Sequence, residues 1–308
     1  MKARVIVHST SGNTRLVTDY AAARLTRAGL PCEVQEIANH AERPEVDDVD
    51  VIGVAFPVMY FRPTVVIERI VDNLPAPKAG QPAFVLATAG GDPGAAMHLM
   101  VEQLERKGFR VIGAHWVVAP SNWPFQLAAV RQPLRIPGVT ALQNTARNVV
   151  APVWKTWPTL RSQASLLWED AGETSEGDRD KLDRYLDGVL GSIHALAGGA
   201  RPTPLELDGF GRAATRWAGR RLDPTLPAMK SGFRVVAGAC EKCGACVRAC
   251  PVDSIQTDPG GLPVFGQGCT GCWTCYNVCP HAAIAATGTP AGRGRYTGPS
   301  QAMRDLLG

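Results

Sequence analysis

At 308 residues, the chain is long enough for two domains. Hydrophobic residues make up 45% and charged residues 19%, a composition that favours a folded core over disorder. The formal net charge is only +4, from 32 Lys and Arg against 28 Asp and Glu, which does not indicate a nucleic-acid-binding surface. No apolar run is long enough for a transmembrane helix. We therefore expect a globular protein with no nucleic-acid partner and no integral membrane segment.

The first residues and the cysteine content predict a compartment. Met1 leads directly into Lys2 and an apolar strand, without the apolar region of a secretory signal, so we expect a cytoplasmic protein. Nine cysteines are many for a reducing compartment, where clustered cysteines more often hold metal than form disulfides.

The N-terminal segment predicts a strand, a loop and a helix. Apolar residues at 5–7 form the strand, and an apolar stripe from Leu16 to Leu25 forms one face of the helix, which ends near Gly29. His8, at the end of the strand, is expected to make a local hydrogen bond. The loop between them offers backbone N–H groups and hydroxyls to a phosphate at the helix N-terminus, although an ordinary capped turn is the alternative. Its candidate ligands are Ser9, Thr10, Ser11, Gly12, Asn13 and Thr14.

Strands and helices then alternate along the chain. Strands are predicted at 31–37, 49–56, 82–88 and 109–118, and helices at 63–74 and 95–107. With the first strand, this pattern predicts an α/β fold with a five-stranded, parallel, doubly wound sheet. In such a sheet a ligand binds beyond the carboxyl ends of the strands.

Two further loops follow strands of this sheet and complete the predicted ligand site. Pro57, Val58, Met59 and Tyr60 provide flat or flexible apolar groups suited to a planar ring. The second of these loops, glycine-rich, allows backbone to approach the ring edge. Its candidate residues are Thr88, Ala89, Gly90 and Gly91.

The three loops resemble those of flavodoxins. The Ser/Thr-rich loop looks like the FMN-phosphate loop, and the other two match the positions where flavodoxin-like proteins hold the isoalloxazine ring. The resemblance implies a flavodoxin-like fold and FMN as a cofactor. Neither the nucleoside-triphosphate P-loop nor the glycine fingerprint of dinucleotide-binding proteins is present.

The middle of the chain predicts an insertion and a linker. An apolar stripe over 178–197 predicts the last helix of the sheet domain, so 119–177 becomes an insertion after the fifth strand. Its tryptophans either enclose the flavin or form a small core of their own. The predicted domains are a sheet domain at 1–198, a linker at 199–231, a cysteine-rich domain at 232–286 and a flexible tail at 287–308.

Eight of the nine cysteines form a repeat near the C-terminus. Each of the first four has a counterpart 29 residues later, and Pro251 and Ile255 recur as Pro280 and Ile284. Structural zinc sites and a disulfide scaffold are the alternatives to iron–sulfur clusters. The candidate ligands are Cys240, Cys243, Cys246 and Cys250, followed by Cys269, Cys272, Cys275 and Cys279.

The spacing of this repeat predicts two crossed ligand sets. Three closely spaced cysteines wrap one [4Fe–4S] cluster, while the cysteine before proline serves the other. We assign Cys240, Cys243, Cys246 and Cys279 to the first cluster. The second takes Cys250, Cys269, Cys272 and Cys275. Residues 232–286 thus resemble the bacterial two-cluster ferredoxins, which form a small α+β domain.

Together the two halves, with Pro120–Trp123 between them, resemble the fused flavodoxin–ferredoxin proteins. The resemblance favours a protein that relays electrons between two [4Fe–4S] clusters and FMN, with a redox partner protein as donor or acceptor. The alternative is an FMN-dependent reductase that acts on a small apolar or aromatic acceptor, such as a quinone or a tetrapyrrole. We find no general acid or base in the sequence that selects between them.

Overall fold

The computed structural model describes residues 1–122, 173–205, 207, 213–221, 232–286 and 295–308. The strands of its central sheet are β1 (Ala3–Val7), β2 (Cys32–Glu36), β3 (Val51–Met59), β4 (Arg62–Pro63), β5 (Pro82–Ala89) and β6 (Arg110–Val118). Five of them are parallel and lie in the order β2-β1-β3-β5-β6. The short strand β4 pairs antiparallel with the end of β3.

Helices cover both faces of the sheet. Helices α2 (Val65–Asn73) and α3 (Ala96–Arg106) bury their apolar sides in one core, while α1 (Asn13–Arg27) and α4 (Glu176–Ala197) bury theirs in the other. With β4 set aside, the strand order is 2-1-3-4-5, the order of the flavodoxin-like doubly wound fold. The predicted fold class is therefore confirmed. A further helix, α5, spans Ala213–Arg221.

The central strands are apolar because both of their faces are covered. In β3, residues 51–57 are all buried, and so is every residue of β5. Continuous apolar runs of this kind are typical of parallel strands between two helical layers. Helix α4 begins with a capping box between Ser175 and Asp178, which satisfies N–H groups of its first turn.

The cysteine-rich segment forms a small α+β unit whose two halves repeat. Strand β7 (Arg234–Val235) pairs antiparallel with β10 (Ile284–Ala285), and β8 (Ile255–Thr257) pairs with β9 (Pro263–Phe265). Helices α6 (Ala245–Arg248) and α7 (Thr274–Val278) follow corresponding cysteines of the two motifs. Tyr276 is fully buried at the centre of this unit.

The prediction of a flexible tail over 287–308 is wrong for its last part. Helix α8 (Gln301–Leu307) begins at Ser300, whose hydroxyl accepts a hydrogen bond from the Met303 N–H. Met303 and Leu307 are buried in the same core as α1 and α4. Glycine, proline and serine before the helix concealed this short apolar stripe from sequence reasoning.

The described residues include only parts of the predicted insertion and of the predicted linker. Most of the predicted insertion, residues 123–172, lies outside the described residues, and so do all four of its tryptophans. Within the predicted linker, α5 packs on α3. Among the described helices, none combines the length and apolarity that crossing a bilayer requires.

Candidate functional site

A crevice lies where the carboxyl ends of β1, β3, β5 and β6 meet. It brings together parts of all three predicted loops and adds a fourth, the segment after β6. The predicted sheet topology already implied this fourth loop, because β6 ends at the same edge of the sheet as the other three strands. The lining consists of Thr10, Ser11, Asn13, Thr14, Pro57, Val58, Met59, Thr88, Ala89, Gly90, Ala119, Pro120, Ser121 and Asn122.

The first loop presents hydroxyls and the start of α1 to the crevice. Gly12 precedes the helix with φ of +90°, a conformation that favours glycine, and as the N-cap residue it has no side chain with which to cap the helix. Ser9 does not line the crevice. Its hydroxyl accepts hydrogen bonds from Gly12 N–H at 3.1 Å and Arg15 N–H at 3.3 Å, so it shapes the loop from within. Thr14 is linked to Thr88 of the third loop by a 2.8 Å hydroxyl–hydroxyl bond.

His8 supports the first loop from below. It is 2% exposed, and its Nδ1 lies 3.0 Å from the carbonyl oxygen of Ile37, the local hydrogen bond expected from the sequence. Burial lowers the pKa of His8, so the ring is held neutral. A neutral imidazole brings no charge to this end of the sheet.

The second loop is a tight hairpin between β3 and β4. Tyr60 and Phe61 form its two-residue turn with φ of 54° and 63°, conformations that are unusual for residues other than glycine. Pro57, Val58 and Met59 line the crevice, but Tyr60 does not. The Tyr60 hydroxyl instead donates to the carbonyl of Gly271 in the cysteine-rich unit at 3.2 Å.

The third loop meets the crevice with mostly backbone. Thr88, Ala89 and Gly90 line it, and Gly91 lies beyond the lining residues. None of the described lining residues carries a charge. The crevice thus combines hydroxyls and helix-terminal N–H groups at one end with an apolar wall at the other. This donor set fits a phosphate and a flat ring, as FMN requires.

Two further cavities lie within the cysteine-rich unit, and each is lined by four cysteines. The first contains Cys240, Cys243, Cys246 and Cys279. The second contains Cys250, Cys269, Cys272 and Cys275. These are the two crossed ligand sets that the spacing predicts. In the described ranges, no three His, Cys, Asp or Glu side chains converge as ligands of a lone metal ion.

The surroundings of the second cavity are apolar and aromatic. Trp273 and Tyr276 meet edge to face with ring centroids 5.5 Å apart, and Phe233 contacts Trp273 at 5.0 Å. Burial raises the pKa of the Cys272 and Cys275 thiols, so their thiolate forms need a cation close by. The iron of a bound cluster would supply that charge. In the first ligand set, by contrast, Cys243 is exposed.

Backbone N–H groups also point at sulfur in corresponding places of the two motifs. Ser254 N–H donates to Cys250 Sγ at 3.2 Å, and Ala283 N–H donates to Cys279 Sγ at 3.3 Å. Hydrogen bonds to ligand sulfurs stabilise the negative charge of a cluster and tune its potential. Both bonds involve the cysteine before proline, which crosses to the other ligand set.

The C-terminal tail ties the crevice to the cysteine-rich unit. The Tyr296 hydroxyl donates to Asn13 Oδ1 at 2.6 Å, and the Tyr296 N–H donates to Asn277 Oδ1 at 2.9 Å. Asn13 also donates through Nδ2 to the carbonyl of Pro120 at 2.8 Å. Two chemically different sites therefore share one hydrogen-bond network.

Comparison with known families identifies the cysteine-rich unit. The 4Fe-4S dicluster domain family matches residues 239–284, which span all eight repeat cysteines. The predicted pair of [4Fe–4S] clusters is thereby confirmed. No curated protein matches the chain.

Solved structures similar to this chain include flavodoxins. A flavodoxin from the domain Archaea is 20% identical, with a TM-score of 0.32, over 38% of this chain and 83% of that one. The flavodoxin of Megasphaera elsdenii is 27% identical, with a TM-score of 0.33, over 37% of this chain and 84% of that one. An NADH:FMN oxidoreductase in its apo form is 20% identical, with a TM-score of 0.32, over 37% of this chain and 74% of that one.

Proposed function

We propose that this chain is an iron–sulfur flavoprotein that relays electrons between its two [4Fe–4S] clusters and an FMN bound in the crevice. The observation that carries the proposal is the direct bonding between the crevice and the dicluster unit. The Tyr60 hydroxyl reaches from the second crevice loop to Gly271, and Tyr296 joins Asn13 to Asn277. A cluster unit fixed against a flavin-shaped crevice suits electron exchange inside one chain.

The crevice residues have separate roles in this proposal. Hydroxyls of Thr10, Ser11 and Thr14, with the N–H groups at the start of α1, would hold the phosphate. The 57–59 segment would pack against the ring, and the backbone at 88–90 would bond its polar edge. FMN exchanges either one or two electrons, whereas each cluster carries only one at a time.

The partner proposed for the clusters is a one-electron carrier protein, which serves as donor or acceptor. We propose the cytoplasm as the location, because clustered cysteines in a reducing compartment more often hold metal than form disulfides.

The alternative is that FMN reduces a small apolar acceptor, a quinone-like or tetrapyrrole-like molecule. It rests on the tryptophan-rich 119–177 segment, most of which lies outside the described residues. A redox titration separates the two functions. Flavin and cluster potentials close together support the relay. A flavin that takes up two electrons at once, far above the cluster potentials, supports the reductase.

The proposed function is tested by anaerobic reconstitution of the full chain with iron, sulfide and FMN. We expect one FMN and eight iron atoms per chain. Potentiometric titration of the loaded protein then follows the flavin by absorbance and the clusters by EPR. Zinc in place of iron, or no flavin retained at micromolar concentration, would refute it.

A matched pair of threonine variants tests the phosphate loop. Thr14→Val removes a buried hydroxyl that lines the crevice, and we expect FMN to bind about tenfold more weakly, the usual effect of losing a hydrogen bond to a charged group. Thr26→Val lies near the far end of the same helix and should leave the dissociation constant unchanged. Fluorescence titration of flavin gives both constants. Equal affinities in the two variants would contradict the assignment.

A further inference from the structure

The two cluster cavities are placed differently relative to the crevice. In the described residues, the hydrogen bonds from crevice loops to the dicluster unit reach the second motif and no cysteine of the first set. Tyr60 bonds Gly271, and Asn122 bonds the carbonyl of Cys272 at 3.2 Å. Cys272 belongs to the second cavity.

A separate contact of the sheet domain leads to the same cavity. The His40 N–H donates to the carbonyl of Pro251 at 3.0 Å, and Asn39 Nδ2 donates to Asp253 Oδ1 at 2.7 Å. Pro251 follows Cys250, the ligand that crosses from the first motif to the second cavity. Both contact regions therefore lie beside ligands of the second cluster. The first cavity contains Cys243, which is exposed, and none of its lining residues comes from the sheet domain.

Asn122 links the second cavity to the phosphate loop through one amide group. Its Nδ2 lies 3.2 Å from Thr10 Oγ1 and 3.2 Å from the Cys272 carbonyl oxygen, and its own carbonyl accepts from Asn277 Nδ2 at 3.0 Å. Asn122 is 8% exposed and lines the crevice. One amide nitrogen that bonds both groups in this way fixes the separation between the Cys272 carbonyl and the Thr10 hydroxyl.

We propose that the second cluster is the direct redox neighbour of the crevice, that the first cluster is the port for the external partner, and that Asn122 is the positioning residue between cluster and crevice. This inference rests on the proposed function, because it requires redox groups at both sites. In this order, a reduced one-electron carrier would pass an electron to the first cluster, from which it would reach the second cluster and then FMN. Two electrons from the carrier, with protons from solvent, would reduce FMN fully.

The order of the centres is tested with cysteine variants of the full, FMN-loaded protein. In pulse radiolysis, the carbon dioxide radical anion made from formate delivers less than one electron per molecule, and absorbance follows its redistribution between cluster and flavin. We expect Cys243→Ser, which disrupts the first cluster, to keep a fast phase of electron redistribution from cluster to flavin, with a rate independent of protein concentration. Cys269→Ser, which disrupts the second, should lose it while the EPR signal of the first cluster remains. The reverse pattern would overturn the proposed order.

The role of Asn122 is tested with an isosteric variant. Asn122→Asp keeps the size of the side chain but removes the N–H donor, and we expect the redistribution rate to fall at least tenfold at saturating FMN, with unchanged cluster EPR spectra. Asn39→Ala is the control, since it removes another hydrogen bond between the same two units, away from the crevice. Equal effects in the two variants would reduce Asn122 to a general interface contact.

These experiments separate failure of the inference from failure of the proposed function. If FMN or iron is not incorporated, the function itself fails. If both are incorporated and the fast phase survives Cys269→Ser but not Cys243→Ser, only the order of the clusters is wrong. Should either serine variant fail to fold, Cys240→Ser and Cys275→Ser remove other members of the same two ligand sets.

Discussion

Arg295 and Arg248 each donate a hydrogen bond to the carbonyl of a cysteine in the first ligand set, but in different surroundings. Arg295 Nη1 reaches Cys279 O at 2.7 Å from a partly buried position over the Tyr276 ring, 4.9 Å from its centroid. Arg248 Nη1 reaches Cys243 O at 3.0 Å from an exposed position. A buried cation stabilises the more negative, reduced state of a cluster more strongly than a solvated one.

We therefore expect Arg295→Met to lower the midpoint potential of the first cluster clearly more than Arg248→Met does. EPR-monitored potentiometric titration of the two variants beside the parent protein gives the comparison. Equal shifts would mean that water screens both guanidinium groups, and that the position of Arg295 over Tyr276 serves packing alone.

His115 makes stability depend on pH. It lies in β6 and stacks on Tyr185 of α4 with ring centroids 5.2 Å apart, and burial lowers its pKa to about 4, aided by Lys181. The unfolded chain binds a proton near pH 6.5, whereas the folded one does not until about pH 4. The folded state consequently loses stability as pH falls through this window, by about 1–2 kcal/mol after allowance for partial exposure.

The His115→Phe variant should keep the ring stack and lose this part of the pH dependence. Urea unfolding at pH 7 and at pH 4.5 measures it, as the difference in unfolding free energy between the two conditions. The exposed His194 provides the control substitution, His194→Gln, which should behave as the parent protein does. A variant with the full pH dependence of the parent would show that other groups produce it.

At the scale of elements, α5 holds the strained hairpin turn of the second loop. A Cβ at Gly219 would lie 2.9 Å from Ala95 Cβ and still closer to the carbonyl oxygen of Phe61, so only glycine allows this approach. Phe61 O also accepts the Ala95 N–H at 2.8 Å. The helix thereby presses against the turn that presents Tyr60 to Gly271.

Gly219→Ala should therefore destabilise the protein, although alanine is the better helix former. The matched control is Gly188→Ala in α4, where an added Cβ meets nothing within 4 Å and should stabilise by about 0.5–1 kcal/mol. Thermal unfolding of both variants checks the opposite signs. If both are stabilised, the contact between α5 and the turn is loose in solution.

At the scale of the whole molecule, the C-terminal tail joins both domains. Ser300 Oγ donates to Glu173 Oε2 at 2.8 Å, Pro299 lies against the phosphate loop at Gly12, and α8 buries Met303 and Leu307. Burying two such side chains contributes about 3–6 kcal/mol.

Removal of residues 299–308 should lower the melting temperature and also weaken FMN binding, because the phosphate loop loses its support. Met303→Ala should lower only the melting temperature, and Arg304→Ala, at an exposed position, should change neither. Calorimetry and flavin titration give the two readouts. Unchanged FMN affinity in the truncated chain would show that the tail serves the core alone.

Sequence reasoning succeeded where short-range patterns carry the information. The period of apolar residues predicts the alternation of strands and helices, and the spacing within 240–279 predicts the two sets of four cysteines found around the cavities. The sequence did not predict the direction in which individual side chains of the loops point. Ser9 and Tyr60 lie in the predicted loops, but Ser9 bonds its own loop and Tyr60 bonds the dicluster unit.

By itself the sequence determined the kind of fold and the chemistry of the clusters, since both depend on local periodicity and on residue types at fixed spacing. Only the tertiary structure decided which cluster faces the crevice, that Asn122 joins them and that the tail is helical. These features depend on contacts between residues more than 100 positions apart, such as Asn122 and Cys272. No pattern within one segment encodes such a contact, because it arises when two separately folded units pack together.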